Sequence, residues 1–202
     1  MINTKMFSKI NIKNTKAFTL VEVMITLSII VLVVSCVFGI SVVSQKFYAK
    51  AENRAEILQN GRIVLERLSR EIRQANIIVS QLPLSEIEFE DGHTPSPFAY
   101  LGSNYFYIRY FLDHATKEVR RQYKAYCFEP CDVCASYVRW NDIKIIDGAQ
   151  VNPLTCVLED RVVGEFVESM SFWGSGLVNI SLDLAKNNEN IELGAQIAGR
   201  NF

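Results

Sequence analysis

An apolar run from Phe18 to Val43 constrains this chain more than any other feature. Of its 26 residues only Thr19, Glu22, Thr26, Ser28, Ser35, Gly39 and Ser41 are not apolar. Wound as a helix it would extend roughly 39 Å, longer than the hydrocarbon core of a bilayer at about 30 Å. Four lysines (Lys5, Lys9, Lys13 and Lys16) precede it and no acid does. That bias keeps the N-terminus in the cytoplasm and exports everything after about Ser44. The rest of the 202 residues is ordinary: the whole chain is 49% apolar and 21% charged, with net charge −1. Such a balance excludes a disordered chain and a strongly basic nucleic-acid binder.

Glu22 is the oddity inside the run. A carboxylate in lipid costs roughly 2.5–3.5 kcal/mol by insertion scales and needs water or a partner. A chain cut before Phe18 would carry a new α-amine one helical turn away, and the positive end of the helix dipole would favour the charge as well. The segment Lys16-Ala17-Phe18-Thr19-Leu20-Val21-Glu22, followed by the apolar run, resembles the processing signal of type IV prepilins and pseudopilins. The resemblance implies cleavage between Ala17 and Phe18 by a prepilin peptidase. It also implies N-methylation of Phe18 and a role for Glu22 in assembly with other pilin or pseudopilin subunits in the inner membrane. Ala17 departs from the glycine usual before the cut, so slower cleavage is expected.

A secretory signal peptide would show a small-residue cleavage site after the run, and none follows. Val33-Val34-Ser35-Cys36 looks like a lipoprotein box, which would make Cys36 a lipidated N-terminus and the chain an envelope binding module outside any filament. That alternative leaves Glu22 unexplained. The plainer reading of Cys36 is a small residue in a membrane helix.

Beyond the run, no proline interrupts Ser44 to Ile78, and Ala51, Ala55, Leu58, Leu65, Leu68, Ile72 and Ala75 recur at three- and four-residue spacings. This predicts an amphipathic continuation of the same helix, with Gly61 as its weak point and Arg54, Glu56, Glu66, Arg67, Arg70, Glu71 and Arg73 on solvated faces. Its +3 charge lacks interleaved aromatics, so no nucleic-acid partner is expected. From Leu82-Pro83 onward the pattern turns to strands. Residues 86–90 alternate, and 104–112 and 118–128 flank a turn at 113–117. The stretch to Asp160 is irregular, and a meander follows in which 178–184 and 191–197 alternate cleanly. The fold class is therefore α+β. A membrane-spanning N-terminal helix continues into an amphipathic stalk packed on an antiparallel β-sheet head. The expected divisions are a leader at 1–17, a membrane half at 18–43, an amphipathic half at 44–78 and the head at 79–202.

The run Leu65-Glu66-Arg67-Leu68-Ser69-Arg70-Glu71-Ile72, the Tyr110-Phe111-Leu112-Asp113 hairpin, the strand around Phe166-Val167-Glu168 and the ending Arg200-Asn201 resemble PilW-like minor pilins and J-type pseudopilins of type II secretion. They imply a pilin-like fold and a part in initiating or capping a type IV pilus or secretion pseudopilus.

Cys127, Cys131 and Cys134 have the C-x3-C-x2-C spacing of radical iron–sulfur enzymes, but the chain is too short for such a barrel and its head is exported. With Cys156 they could hold zinc or form two disulfides. Three connectivities are open, and Cys131 and Cys134 are close enough for a tight loop. His93 and His114 fall in turns beside acids. Asp91, Asp113, Asp132 and Asp142 lack calcium-loop spacing. No hydrolase, P-loop or metalloprotease motif occurs. No cofactor, no confident metal site and no enzymatic activity are expected.

Overall fold

A computed structural model describes residues 19–82, 84–93, 96–103 and 105–199. The chain divides into two compact units with the boundary between Ala49 and Lys50. One helix, α1, runs without a break from Leu20 to Gln74, and nine strands follow it.

In the first unit the helix side chains are exposed apart from the half-buried Ser44, and this is the one helix among the described residues long and apolar enough to cross a membrane. The hydroxyls of its apolar stretch are satisfied within the helix. The hydroxyls of Thr26, Ser28, Ser35 and Ser41 each donate to the carbonyl four residues earlier, at 2.8–3.0 Å. In lipid, where no water is available, this keeps each hydroxyl paired without breaking the helix ladder.

In the second unit the same helix buries a stripe formed by Ile57, Gly61, Val64, Leu68, Glu71 and Ile72. This corrects the expected stripe: Ala51 and Ala55 are exposed, while Leu68, Ile72 and Ala75 are buried as anticipated. The helix also stops at Gln74, short of Ile78. Residues 76–80 peel away to run antiparallel beside Ile87–Glu90 (β1): Val79 N–H donates to the Glu88 carbonyl at 2.8 Å and Glu90 N–H to Ile77 at 2.8 Å.

Two antiparallel sheets make the head. The first has the order β1-β2-β3-β6, with β2 at Tyr107–Asp113, β3 at Glu118–Cys127 and β6 at Leu154–Gly164. The second is the meander β7-β8-β9, at Val167–Trp173, Leu177–Lys186 and Glu189–Ala198. Leu84 pairs with Phe172 through reciprocal bonds of 3.0 and 2.8 Å, so the chain entering β1 ties the two sheets edge to edge. A small hairpin, β4 (Lys144–Ile146) and β5 (Ala149–Val151), lies in the stretch read as irregular. Its Asp147-Gly148 corner has positive φ at both residues, as does Asn187-Asn188 between β8 and β9. Both suit the right-handed twist of the flanking strands.

Helix and sheets share one core, with Ile57, Val64, Leu68 and Ile72 fully buried together with Phe89, Ile108, Phe172 and Leu182. Phe106 and, on β2, Ile108, Tyr110 and Leu112 are buried on one face. Three glycines set how closely the layers approach. A Cβ on Gly164 would sit 2.2 Å from Val64 Cγ2, and one on Gly92 would sit 1.7 Å from the Gln74 carbonyl oxygen. On Gly61 it would meet Leu193 Cδ1 at 2.4 Å and Leu184 Cδ1 at 3.1 Å. Gly61 is therefore a point of close packing on the buried face rather than a weak point.

These contacts predict a ranking. Gly92→Ala strikes backbone and Gly164→Ala strikes a β-branched side chain that is stiff in a helix, so each should cost about 1–3 kcal/mol. Gly61→Ala meets movable leucine ends and gains helix propensity, so it should cost less than about 1 kcal/mol. Denaturant unfolding of the full chain in detergent micelles checks the order.

Candidate processing and assembly site

The helix begins with a reciprocal cap. Glu22 N–H donates to Thr19 Oγ1 at 3.3 Å, while Glu22 Oε2 accepts from Thr19 N–H at 3.1 Å and from the Thr19 hydroxyl at 3.3 Å. This is the T-x-x-E capping box, and it satisfies two otherwise orphaned donors at the helix start. The T-x-x-E signal for it is present in the sequence, inside Phe18-Thr19-Leu20-Val21-Glu22, where the charge of Glu22 masks its capping role. The carboxylate also lies where the helix dipole favours it. Ala17 and Phe18 lie outside the described residues, as does the Arg200-Asn201 ending. Cys36 sits in mid-helix, exposed and unpaired, with α1 passing through it without a break.

Residues 12–35 match the family model described as the prokaryotic N-terminal methylation motif. The chain carries a type IV pilin-like prepilin signal. Among curated proteins and among solved structures, nothing matches the chain significantly. Together with the apolar helix, the motif supports a pilin-like precursor anchored in the membrane. It implies processing by a prepilin peptidase and assembly with other pilins.

The head has its own cross-links. Cys127 bonds Cys134 and Cys131 bonds Cys156, with Cα separations of 6.2 and 5.5 Å. This interleaved pairing is one of the three left open, and it is not the tight Cys131–Cys134 loop. With all four sulfurs in disulfides, none is a thiolate for zinc. Residues 128–155 are almost all exposed or half-buried, so the covalent links do what a core would do elsewhere. Removing the Cys131–Cys156 bridge, which spans 25 residues, should cost about 3–4 kcal/mol by loop-closure entropy. The bridge over 7 residues should cost about 2 kcal/mol. Paired Cys→Ser variants, unfolded in denaturant, test that order.

Polar networks fasten the helix and the first loop to the sheet. Glu71, 6% exposed, accepts from Tyr110 Oη at 2.8 Å and from Arg121 Nε at 3.0 Å. It was expected on a solvated face; its paired partners on β2 and β3 are what allow it inside. Asp91 is also buried, accepting from Tyr123 Oη and facing His93 Nδ1. Ser96 shares a hydrogen bond with the Tyr123 hydroxyl at 2.7 Å. His114 is exposed in the β2–β3 turn. Asp113 and Asp142 cap nearby backbone amides, and among the described residues no group of three acid, histidine or cysteine side chains is placed to hold a metal.

Burial raises the phenols of Tyr107, Tyr110, Tyr123 and Tyr126. Tyr107 is pushed up to about 12, chiefly by desolvation and further by Glu90, against a Trp140 amide bond and nearby Arg139 that pull it down. Tyr110, Tyr123 and Tyr126 are raised by burial first and then by the carboxylates of Glu71, Asp91 and Glu88. The folded state therefore holds these protons above the ordinary tyrosine value of 10.0. Their contribution is fully present below about pH 10 and is lost as pH rises toward the folded values. The thermal midpoint should fall steeply above about pH 10, and Tyr110→Phe should flatten the fall; calorimetry across alkaline pH reads both.

Proposed function

We propose that this chain is a minor pilin or pseudopilin. Its leader, residues 1–17, stays in the cytoplasm, 18–43 span the inner membrane, 44–78 form the stalk half of the helix, and 79–202 form an extracytoplasmic head. A prepilin peptidase cuts between Ala17 and Phe18, and Phe18 is N-methylated. The subunit then enters a bundle of like helices and helps initiate or cap a type IV pilus or a type II secretion pseudopilus, as a structural subunit rather than an enzyme.

The observation that carries this reading is the methylation motif on residues 12–35 leading into a 55-residue helix. The apolar stretch of that helix buries none of its residues within the chain. So large an apolar surface calls for lipid before assembly and for other apolar helices after it. Glu22 supplies the one carboxylate in the run. Thr19 holds it in the isolated subunit, and the α-amine exposed at Phe18 gives it a charged partner, its own or a neighbour's.

Mass analysis of protein extracted from membranes tests the processing step. A start at methylated Phe18 is the expected result. Lipid on Cys36 would favour the anchored binding module, and an intact Met1 would refute both schemes. Glu22→Ala should leave cleavage intact and lower recovery in sheared filaments at least several-fold. Undiminished recovery would remove the assembly role given to Glu22.

A further inference from the structure

The four head cysteines are joined out of sequence order. Cys127 bonds Cys134 and Cys131 bonds Cys156, so the first pairs with the third and the second with the fourth. Neighbours are left unjoined, although Cys127 and Cys131 are four residues apart and Cys131 and Cys134 three. The native bonds span 7 and 25 residues. In an unfolded chain close cysteines meet more often than distant ones, because the entropy of closing a loop grows with its length. A head exported N-terminus first also presents Cys127, Cys131 and Cys134 to an oxidant before Cys156. Packing does little to prevent early pairing, since residues 128–155 are almost all exposed or half-buried. Both nearest-neighbour bonds, Cys127–Cys131 and Cys131–Cys134, are non-native, and both consume Cys131.

Once the other two cysteines have closed a second wrong bond, the head cannot correct itself. Exchange starts from a thiolate, and two wrong bonds use all four head sulfurs. The fifth cysteine of the chain, Cys36, lies within the apolar run assigned to the membrane. The thiolate must therefore come from outside the head. In the folded head Cys127 and Cys156 are 1% and 2% exposed, whereas Cys131 is exposed, in the turn that follows Pro130.

We propose that the head matures through an exported disulfide isomerase, a protein with a reactive dithiol, which engages it at Cys131. This rests on the proposed export of the head and not on its place in a filament. The isomerase thiolate attacks Cys131 Sγ of the Cys127–Cys131 bond, forming a mixed disulfide and expelling the Cys127 thiolate. Cys127 attacks Cys134 Sγ of the Cys134–Cys156 bond, which makes the native Cys127–Cys134 bond and expels Cys156. Cys156 then attacks Cys131 Sγ of the mixed disulfide, closing Cys131–Cys156 and returning the isomerase thiolate. Starting from Cys131–Cys134 with Cys127–Cys156, the expelled Cys134 attacks Cys127 Sγ, and the last step is the same. Two disulfides in the head stand before and after, so no electrons are gained or lost. The disulfides themselves come from an oxidant that takes two electrons and two protons for each.

The test dilutes the full chain, reduced and denatured, into detergent micelles containing diamide as the oxidant. Pairing is read by mass spectrometry of peptides cut after Phe128 and before Asp132 without reduction. Diamide alone should leave most molecules with Cys127–Cys131 or Cys131–Cys134. A purified, reduced disulfide isomerase added afterwards should convert them to the native pairs at least tenfold faster than buffer does. An isomerase whose second active-site cysteine is replaced by alanine should accumulate as a mixed disulfide on Cys131. In a Cys131→Ser, Cys156→Ser variant, Cys127–Cys134 should form with diamide alone and at a rate the isomerase leaves unchanged. Native pairing by diamide alone, or trapping on Cys127, Cys134 or Cys156, would overturn the proposal. So would correction without isomerase that Cys36→Ser abolishes. Four reduced head cysteines in protein extracted from membranes would overturn it by a different route, by removing the export on which it rests.

Discussion

The head depends on one seam. Neither sheet can bury its apolar face without a second layer, and the layer available to both is the stripe of α1 from Ile57 to Ile72. That seam is closed where side chains are smallest. Val64 rides over Gly164, and Gly61 admits Leu184 and Leu193. It is pinned at its far end by a buried ion pair, Glu71 with Arg121, and by Tyr110. Replacing that carboxylate alone would leave the buried Arg121 guanidinium with only the more distant Glu159, at 3.9 Å. The pair therefore fixes the rotation of the helix on the sheet, where apolar contacts alone would tolerate some slippage.

Much of this was legible in the residues, and what was not has physical reasons. The strands from Val167 to Ala198 announce themselves because each has one face in the core, which writes period two into the sequence. β6 escaped because it is an edge strand with two irregularities of register against β3 and little buried surface. The small hairpin escaped because all of β4 is exposed. The helix stripe was misplaced by counting alanines as core and setting Gly61 and Glu71 aside. A glycine can be the deepest point of a packed face, and a paired glutamate can be buried. Neither follows from composition, since both depend on what the sheet brings opposite.

The same limit applies at the helix start. The charge of Glu22 was visible as an anomaly in an apolar run, but its partner within the chain was three residues away in Thr19. Capping and assembly are compatible uses of one carboxylate. A cap orders the first turn beside the proposed cleavage site, and a carboxylate has acceptor capacity left for a charged amine. An Ala or Gln at this position would fail at different steps, one losing both acceptors and the other keeping a weak cap without the charge.

The two units of the chain meet opposite demands by different means. Residues 20–43 need every polar group satisfied within the helix, and the serine and threonine hydroxyls fold back to accomplish it. The head can use water, ion pairs and disulfides, and disulfides serve where apolar packing thins out, across 127–156. Stability there is covalent, whereas along α1 it is steric.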